Sequence, residues 1–356
     1  VNILLVRLRQ IGDVVFTTPA IRALRIRYPD AQLTYVVEAA AEPVVRHNPH
    51  LNRVIVAPRS HGLAGIAADL ALGARLRSDR PDIAIDFHGG PRASLLTWLS
   101  RAPLRIGYDV RGRGWMYTTR IARPRALRPR HSVENQWDLL APLGIGAPDP
   151  ERFPVEMSGD AGTAEAIAAR LKAAGIQSGD RLIVMHVSAG NPFRRWPIAS
   201  FAEVAATLVA TLPNARVVIT SGPSEAEAAT GVIDAARGRL DALDRARVVT
   251  CGEFSLLELR ALVDRAALFV GGDSGPMHIA ATSRVPIVAL YGPTLPARSA
   301  PWRPREWPSQ PVEITGLECR PCDQRVCAPG DFRCLGWIQP HQAVAAAERL
   351  LKSESD

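Results

Sequence analysis

The chain has 356 residues, 47% hydrophobic and 22% charged; at roughly 100–200 residues per domain this predicts two domains and excludes wholesale disorder or a fibrous protein. The formal net charge is +8, and every basic residue except Lys172 and Lys352 is an arginine, which fits either an anionic partner or a solvated surface. No run reaches the about 18 uncharged apolar residues of a membrane span, and Arg7, Arg9 and Asp13 interrupt the first apolar run, so a secretory signal is not expected and a cytoplasmic protein is.

Val1–Leu8 reads V-N-I-L-L-V-R-L, short and nearly all apolar, as a buried parallel strand is. Gly12-Asp13 breaks it, and a helix pattern runs from Val14 to Tyr28, stopped by Pro29. Leu33–Val37 and Arg53–Ala57 follow as strands, Ala64–Ser78 as a helix and Ile83–Phe87 as a strand. The pattern restarts near residue 181, with strands at Leu182–His186, Arg216–Thr220, Arg247–Thr250, Ala267–Val270 and Pro286–Leu290. Helix patterns lie between them at Ile198–Leu212, Glu225–Ala236, Leu256–Arg265 and Met277–Thr282, with a last one at His341–Lys352. Strands alternating with helices make βαβ units and parallel sheets. Gly, Pro and Asp cluster at Gly146–Gly159, which places the boundary there. The expected divisions are 1–155, 156–340 and a C-terminal helix in 341–356. Two doubly wound α/β domains imply a cleft, and open sheets bind ligands beyond the carboxyl ends of their strands.

The loops after strands therefore carry the candidates. Leu268-Phe269-Val270 runs into Gly271-Gly272-Asp273-Ser274-Gly275-Pro276-Met277-His278. Small residues let a backbone approach a phosphate, Ser274 can cap the next helix, and Pro276 fits its first turn. Free N–H groups at a helix start favour an anion. Asp273 is a poor neighbour for a phosphate and is expected to orient the loop or meet the second substrate. The same segment also reads as an ordinary capped βα turn, and His278 as a core histidine. It is not the G-x-G-x-x-G of dinucleotide enzymes. Asp13, following the first strand after Gly12, reads either as a general base facing the cleft or as a helix N-cap.

Taken together the motifs resemble glycosyltransferase family 9, the ADP-heptose:lipopolysaccharide heptosyltransferases and their relatives. The resemblance rests on I-L-L-V-R-L-R-Q-I-G-D-V-V-F-T-T-P-A-I-R-A-L at the start, and on G-G-D-S-G-P-M-H-I-A-A followed by V-P-I-V-A-L-Y-G-P-T. It continues in D-F-H-G-G-P-R-A-S, R-I-G-Y, H-S-V-E-N, H-V-S-A-G-N-P-F-R-R-W-P and S-G-P-S-E, in the expected order along the whole chain. The resemblance implies a GT-B architecture, two Rossmann-like domains facing across a cleft. It implies an acceptor in the first domain, a nucleotide sugar in the second, and a final helix crossing back onto the first. It implies inverting transfer without a catalytic metal. Asp13 then matches the base, and Asp273, Ser274, Gly275, Pro276, Met277 and His278 the donor loop. Arg194 stands where the family usually has lysine, and Glu225 where a carboxylate reaches the ribose. An arginine there keeps the charge but presents a planar fork; Arg194-Arg195 also reads as a surface pair.

The implied donor is ADP-heptose, and the implied acceptor an anionic glycan of the lipid A/Kdo type, with peripheral contact to the inner membrane. Arg92, Arg111, Arg113, Arg123, Arg125, Arg128 and Arg130 crowd one segment and read as a basic acceptor face or a solvated loop. Arg92, Gly12 and His131 are the acceptor-side candidates. His131 and Glu134 share a helix face, a spacing open to a metal pair or a structural role. Cys319, Cys322, Cys327 and Cys334 form C-x2-C-x4-C-x6-C, which reads as a structural four-thiolate site for zinc or iron, or as free thiols or disulfides. Cys251 reads as core. Other readings are a nucleotide-sugar epimerase on the same fold and a basic nucleic-acid binder; the second lacks an aromatic RNA-binding signature or finger histidines, so no nucleic-acid partner is expected.

Overall fold

A computed structural model describes residues 1–59, 62–123, 130–187 and 191–352. The chain forms two compact units, Val1–Ser158 and Gly159–Asp356.

In the first unit the strands are β1 (Asn2–Val6), β2 (Gln32–Glu38), β3 (Arg53–Ala57), β4 (Ile83–Asp86), β5 (Leu104–Asp109) and β6 (Thr119–Ala122). They form one sheet in the order β3-β2-β1-β4-β5-β6, every pair parallel. β1 and β4 are central and covered on both faces, which is why they read as unbroken apolar runs. β5 and β6 went unread in the sequence because Arg105 and Arg120 interrupt them. The predicted helix Val14–Tyr28 is two helices, Ile11–Val15 and Thr18–Arg27. Pro19 has no N–H to continue the first helix but suits the opening turn of the second. The Thr17 and Thr18 hydroxyls donate to the Val14 and Val15 carbonyls at 2.7 and 2.8 Å, replacing helical hydrogen bonds at the break.

The second unit repeats the plan with β7 (Arg181–His186), β8 (Ala215–Thr220), β9 (Val248–Val249), β10 (Leu268–Gly272), β11 (Ile287–Tyr291) and β12 (Ser309–Glu313). The order is β12-β11-β10-β7-β8-β9, again all parallel. The last helix, Pro340–Lys352, packs on the helix Ile198–Thr211 and on β10, β11 and β12. Ala343, Ala346, Ala347, Leu350 and Leu351 belong to the core of this unit. These small and aliphatic residues fill a gap in the second sheet's own cover. The Trp196 indole donates to the Ile338 carbonyl at 3.1 Å and ties the helix entry to the same core.

Each sheet turns its winding direction once, between β1 and β4 and between β7 and β10. These switch points are where an open α/β sheet leaves a crevice at the strand ends.

Candidate active site

In the first unit the switch point collects Arg7, Asp13, Asp86 and His88. Asp13 is the third residue of the helix Ile11–Val15, whose N-cap position is Gln10. Its carboxylate is therefore not capping the helix. Instead Arg7 Nη2 reaches Asp13 Oδ2 at 2.5 Å, while Arg7 Nη1 donates to the Phe87 carbonyl at 2.5 Å. The arginine side chain is 12% exposed and the aspartate 38%, so the cation is fixed from below and the carboxylate remains open to solvent. Gly12 lies beside it in the same turn, and the Gln136 amide donates to the Asp13 carbonyl at 3.3 Å.

Beneath them Asp86, at the end of β4, is fully buried. It accepts from the main-chain N–H of His88 at 2.8 Å and Gly89 at 2.9 Å, and from the Tyr117 hydroxyl at 2.6 Å. Burial raises its pKa against these donors and the nearby Arg7 charge. His88 is pushed down to about 4, by burial first and then by Arg7, with Asp13 acting the other way. The imidazole is thus neutral at neutral pH.

In the second unit the loop after β10 is organised by Asp273, 3% exposed. His278 Nε2 lies 3.3 Å from one carboxylate oxygen and Arg194 Nη1 3.3 Å from the other; the Thr294 hydroxyl also donates to it. Burial alone would raise this carboxyl, but the hydrogen bond and charge of His278, the Arg194 guanidinium and Thr294 outweigh it and hold it at about 2. Arg194 Nη1 also donates to the Asp273 carbonyl at 3.0 Å, and Nε to Gln324 Oε1 at 2.8 Å. Asp273 thus fixes both the loop and the arginine. Ser274 stands at the N-cap position of the helix Gly275–Ala280, with Pro276 in its first turn, but its hydroxyl makes no cap bond. The expected capping role is corrected: among the described residues that buried hydroxyl has no hydrogen-bond partner. Met277 and His278 are buried on the same helix. Glu225 is buried and pairs with Arg195 Nη2 at 3.3 Å.

The model of glycosyltransferase family 9 (heptosyltransferase) matches residues 70–330. The chain belongs to glycosyltransferase family 9. It is similar to lipopolysaccharide heptosyltransferase 3 of Escherichia coli, 28% identical over 349 residues, 97% of each chain. Among solved structures it resembles the family 9 glycosyl transferase of Veillonella parvula, with a TM-score of 0.83, 25% identity, and 99% and 97% of the two chains covered. It also shares the fold of the Escherichia coli ADP-heptose lps heptosyltransferase II, with a TM-score of 0.77, 22% identity and both chains fully covered. The two parallel six-stranded sheets are those of the GT-B fold. A transferase family sets aside the epimerase reading.

Some expected site residues of this glycosyltransferase have other partners. Arg92 lies 2.8 Å from Asp69 and 3.2 Å from Glu38, and it also donates to the Pro58 carbonyl. Asp69 and Glu38 thus hold this guanidinium in place. His131 caps the helix Ser132–Trp137: its Nδ1 accepts from Val133 N–H at 3.1 Å, and Glu134 accepts from the His131 N–H at 3.0 Å. That reciprocal box explains the spacing of His131 and Glu134 without a metal. Arg130 pairs with Asp138 at 2.6 Å, Arg113 donates to the Gly89 carbonyl at 3.3 Å, and Arg123 lies 5.8 Å from the centroid of the Tyr108 ring. Arg125 and Arg128 lie outside the described residues. Cys319, Cys322, Cys327 and Cys334 are free thiols. A four-thiolate site needs the sulfurs to converge on one point, and among the described residues no three metal-ligating side chains do so.

Sequence reasoning passed over several residues of both switch points. Asp86 and His88 stand in the quoted D-F-H-G-G-P-R, and a buried acid at a strand end was signal enough to find them. Thr294 likewise follows β11 directly. Tyr117 and Gln324 carry no local signal, since only the fold brings them to their partners.

Proposed function

We propose that this glycosyltransferase is an inverting heptosyltransferase that moves heptose from an ADP-sugar to an anionic, lipid-linked glycan such as the lipopolysaccharide inner core. The names of the similar enzymes, a lipopolysaccharide heptosyltransferase and an ADP-heptose lps heptosyltransferase, support the donor and acceptor classes. The observation that carries the mechanism is the Arg7–Asp13 pair of 2.5 Å, in which a carboxylate unused as a cap is held by a fixed cation and stays open to solvent. Arg7 occupies Oδ2, which leaves Oδ1 to accept the proton of an acceptor hydroxyl. That oxygen attacks the anomeric carbon from the face opposite the diphosphate, the bond to the diphosphate breaks, and the sugar configuration inverts.

Negative charge then grows on the leaving diphosphate. Preorganised donors stabilise such charge without reorganisation. In this reading the N–H groups at the start of the helix Gly275–Ala280, the Ser274 hydroxyl and the Arg194 guanidinium supply them. Asp273 does not touch the phosphates; it holds Arg194 and His278 in place. Glu225 takes the ribose. Catalysis uses no metal here, and the reading places the protein on the cytoplasmic side of the inner membrane.

Asp13→Ala tests the core of the reading. Transfer should fall by roughly 10²–10⁴-fold, the usual contribution of a positioned base, while ADP binding measured by calorimetry stays unchanged. Turnover within a few-fold of the unsubstituted enzyme would remove Asp13 from the role of base.

A further inference from the structure

Arg194 presents its N–H groups in a fixed planar fork. Nη1 donates to the Asp273 carbonyl at 3.0 Å and lies 3.3 Å from the Asp273 carboxylate. Nε donates to Gln324 Oε1 at 2.8 Å. Held at two of its nitrogens by partners from different parts of the chain, the plane of the guanidinium cannot turn. Among the described residues Nη2 makes no hydrogen bond, and the side chain is 29% exposed. Its free N–H groups therefore point one way, into solvent beside the loop after β10.

Gln324 is built for this contact. Arg194 Nε can only donate, so the atom facing it is the amide oxygen. The same oxygen accepts from Asn191 Nδ2 at 2.8 Å, and Asn191 Oδ1 in turn accepts the Phe193 N–H at 3.0 Å. The turn that carries Arg194 is thus stitched to Gln324 at both ends. The backbone of Gln324 lies in the left-handed region, with φ of 59°, which residues other than glycine rarely adopt. Such a conformation persists only where the surroundings impose it, and here the stretch is anchored on both sides. Before it, the Cys322 N–H donates to the Pro293 carbonyl at 3.3 Å and Arg320 Nη2 to the Thr294 carbonyl at 2.6 Å. After it, the Phe332 ring meets Phe193 edge-on at 5.1 Å. Leu335 packs on Gly292, where a Cβ would come within 2.5 Å of it. Thr294 also donates to Asp273, so both holders of Arg194 are braced on the same loop after β11.

Resting on the donor reading above, we propose that Gln324 is a positioning residue: it holds Arg194 so that Nη2 meets the sugar-bearing phosphate of the donor. A free arginine would lose side-chain freedom when the nucleotide binds, whereas this one has lost it on folding. A cation fixed in advance also stabilises the charge that grows on that phosphate without having to reorganise.

The test is calorimetric binding of ADP and of AMP to the full chain. Gln324→Met keeps the length of the side chain and removes the acceptor oxygen. It should weaken ADP binding roughly tenfold, the weight of a hydrogen bond to a charged group, and leave AMP binding unchanged, because AMP lacks the second phosphate. Retained AMP binding also shows that the variant is folded. In an Arg194→Ala background the same substitution should have no further effect on ADP, since the two residues act as one unit. Unchanged ADP binding by Gln324→Met overturns the proposal. So does an equal loss for ADP and AMP, which a structural defect would give. A full further loss in the Arg194→Ala background overturns it as well, since Gln324 would then act without the arginine. Should UDP or GDP bind in place of ADP, the donor reading fails, and the same comparison of that diphosphate with its monophosphate decides the role of Gln324.

Discussion

Asp13 and Asp273 show how one residue type is set in two environments by its neighbours. Asp13 has one strong partner, Arg7, and remains partly exposed, so it can still meet a substrate proton. Asp273 is buried among His278, Arg194 and Thr294, and its pKa of about 2 keeps it a fixed anion. The difference has a consequence for stability. A carboxyl held below its unfolded pKa of about 3.9 adds stability that is fully present above that value and is lost as pH falls toward 2. Asp273→Asn should therefore cost about 2 kcal/mol near neutral pH. In urea unfolding, its deficit against the unsubstituted protein should shrink between about pH 4 and pH 2. A deficit that stays constant through that window would mean that its partners do not hold Asp273 ionised.

At the scale of elements, the end of β4, the helix Pro91–Leu99 and the turn before β6 meet beside the first switch point. Tyr117 joins them, donating to Asp86 at 2.6 Å and sharing a hydrogen bond of 2.7 Å with the Ser94 hydroxyl. Gly107 on β5 makes room for the ring, since a Cβ there would come within 2.3 Å of it. Tyr117→Phe should cost about 1–3 kcal/mol, because a buried carboxyl loses a donor and nothing replaces it. Denaturant midpoints measure this, and a loss below about 0.5 kcal/mol would show that Asp86 is satisfied by its main-chain partners alone. Helix starts were partly readable: the His131–Glu134 spacing is a capping box, but a metal pair and an N-cap look alike until the turn geometry is known.

At the scale of the whole molecule, two units with their own parallel sheets and the same strand order divide the chain. A ligand that binds only the folded state adds stability by mass action, about 2.7 kcal/mol at a hundredfold excess over Kd, and so raises the melting temperature. ADP should therefore stabilise this glycosyltransferase, equally with and without EDTA, and more than UDP, GDP, CMP or NAD do. Stabilisation by UDP or GDP instead would change the sugar nucleotide, and a shift that needs a divalent ion would contradict metal-independent donor binding.

The sequence by itself determined the two βα arrays, because central parallel strands are buried on both faces and must be written as apolar runs. It also placed Asp13 and Asp273 to Met277, since strand-end loops with glycine and proline announce themselves locally. The tertiary structure alone decided what these residues touch. It joined Arg7 to Asp13 rather than leaving the carboxylate as a cap, and it tied Arg92 to Asp69 and Glu38. It brought Gln324 to Arg194 across 130 residues and seated the last helix on the second sheet. Local sequence sets backbone preferences and burial patterns, whereas a charged side chain's partner is chosen by which distant strand ends the fold makes adjacent.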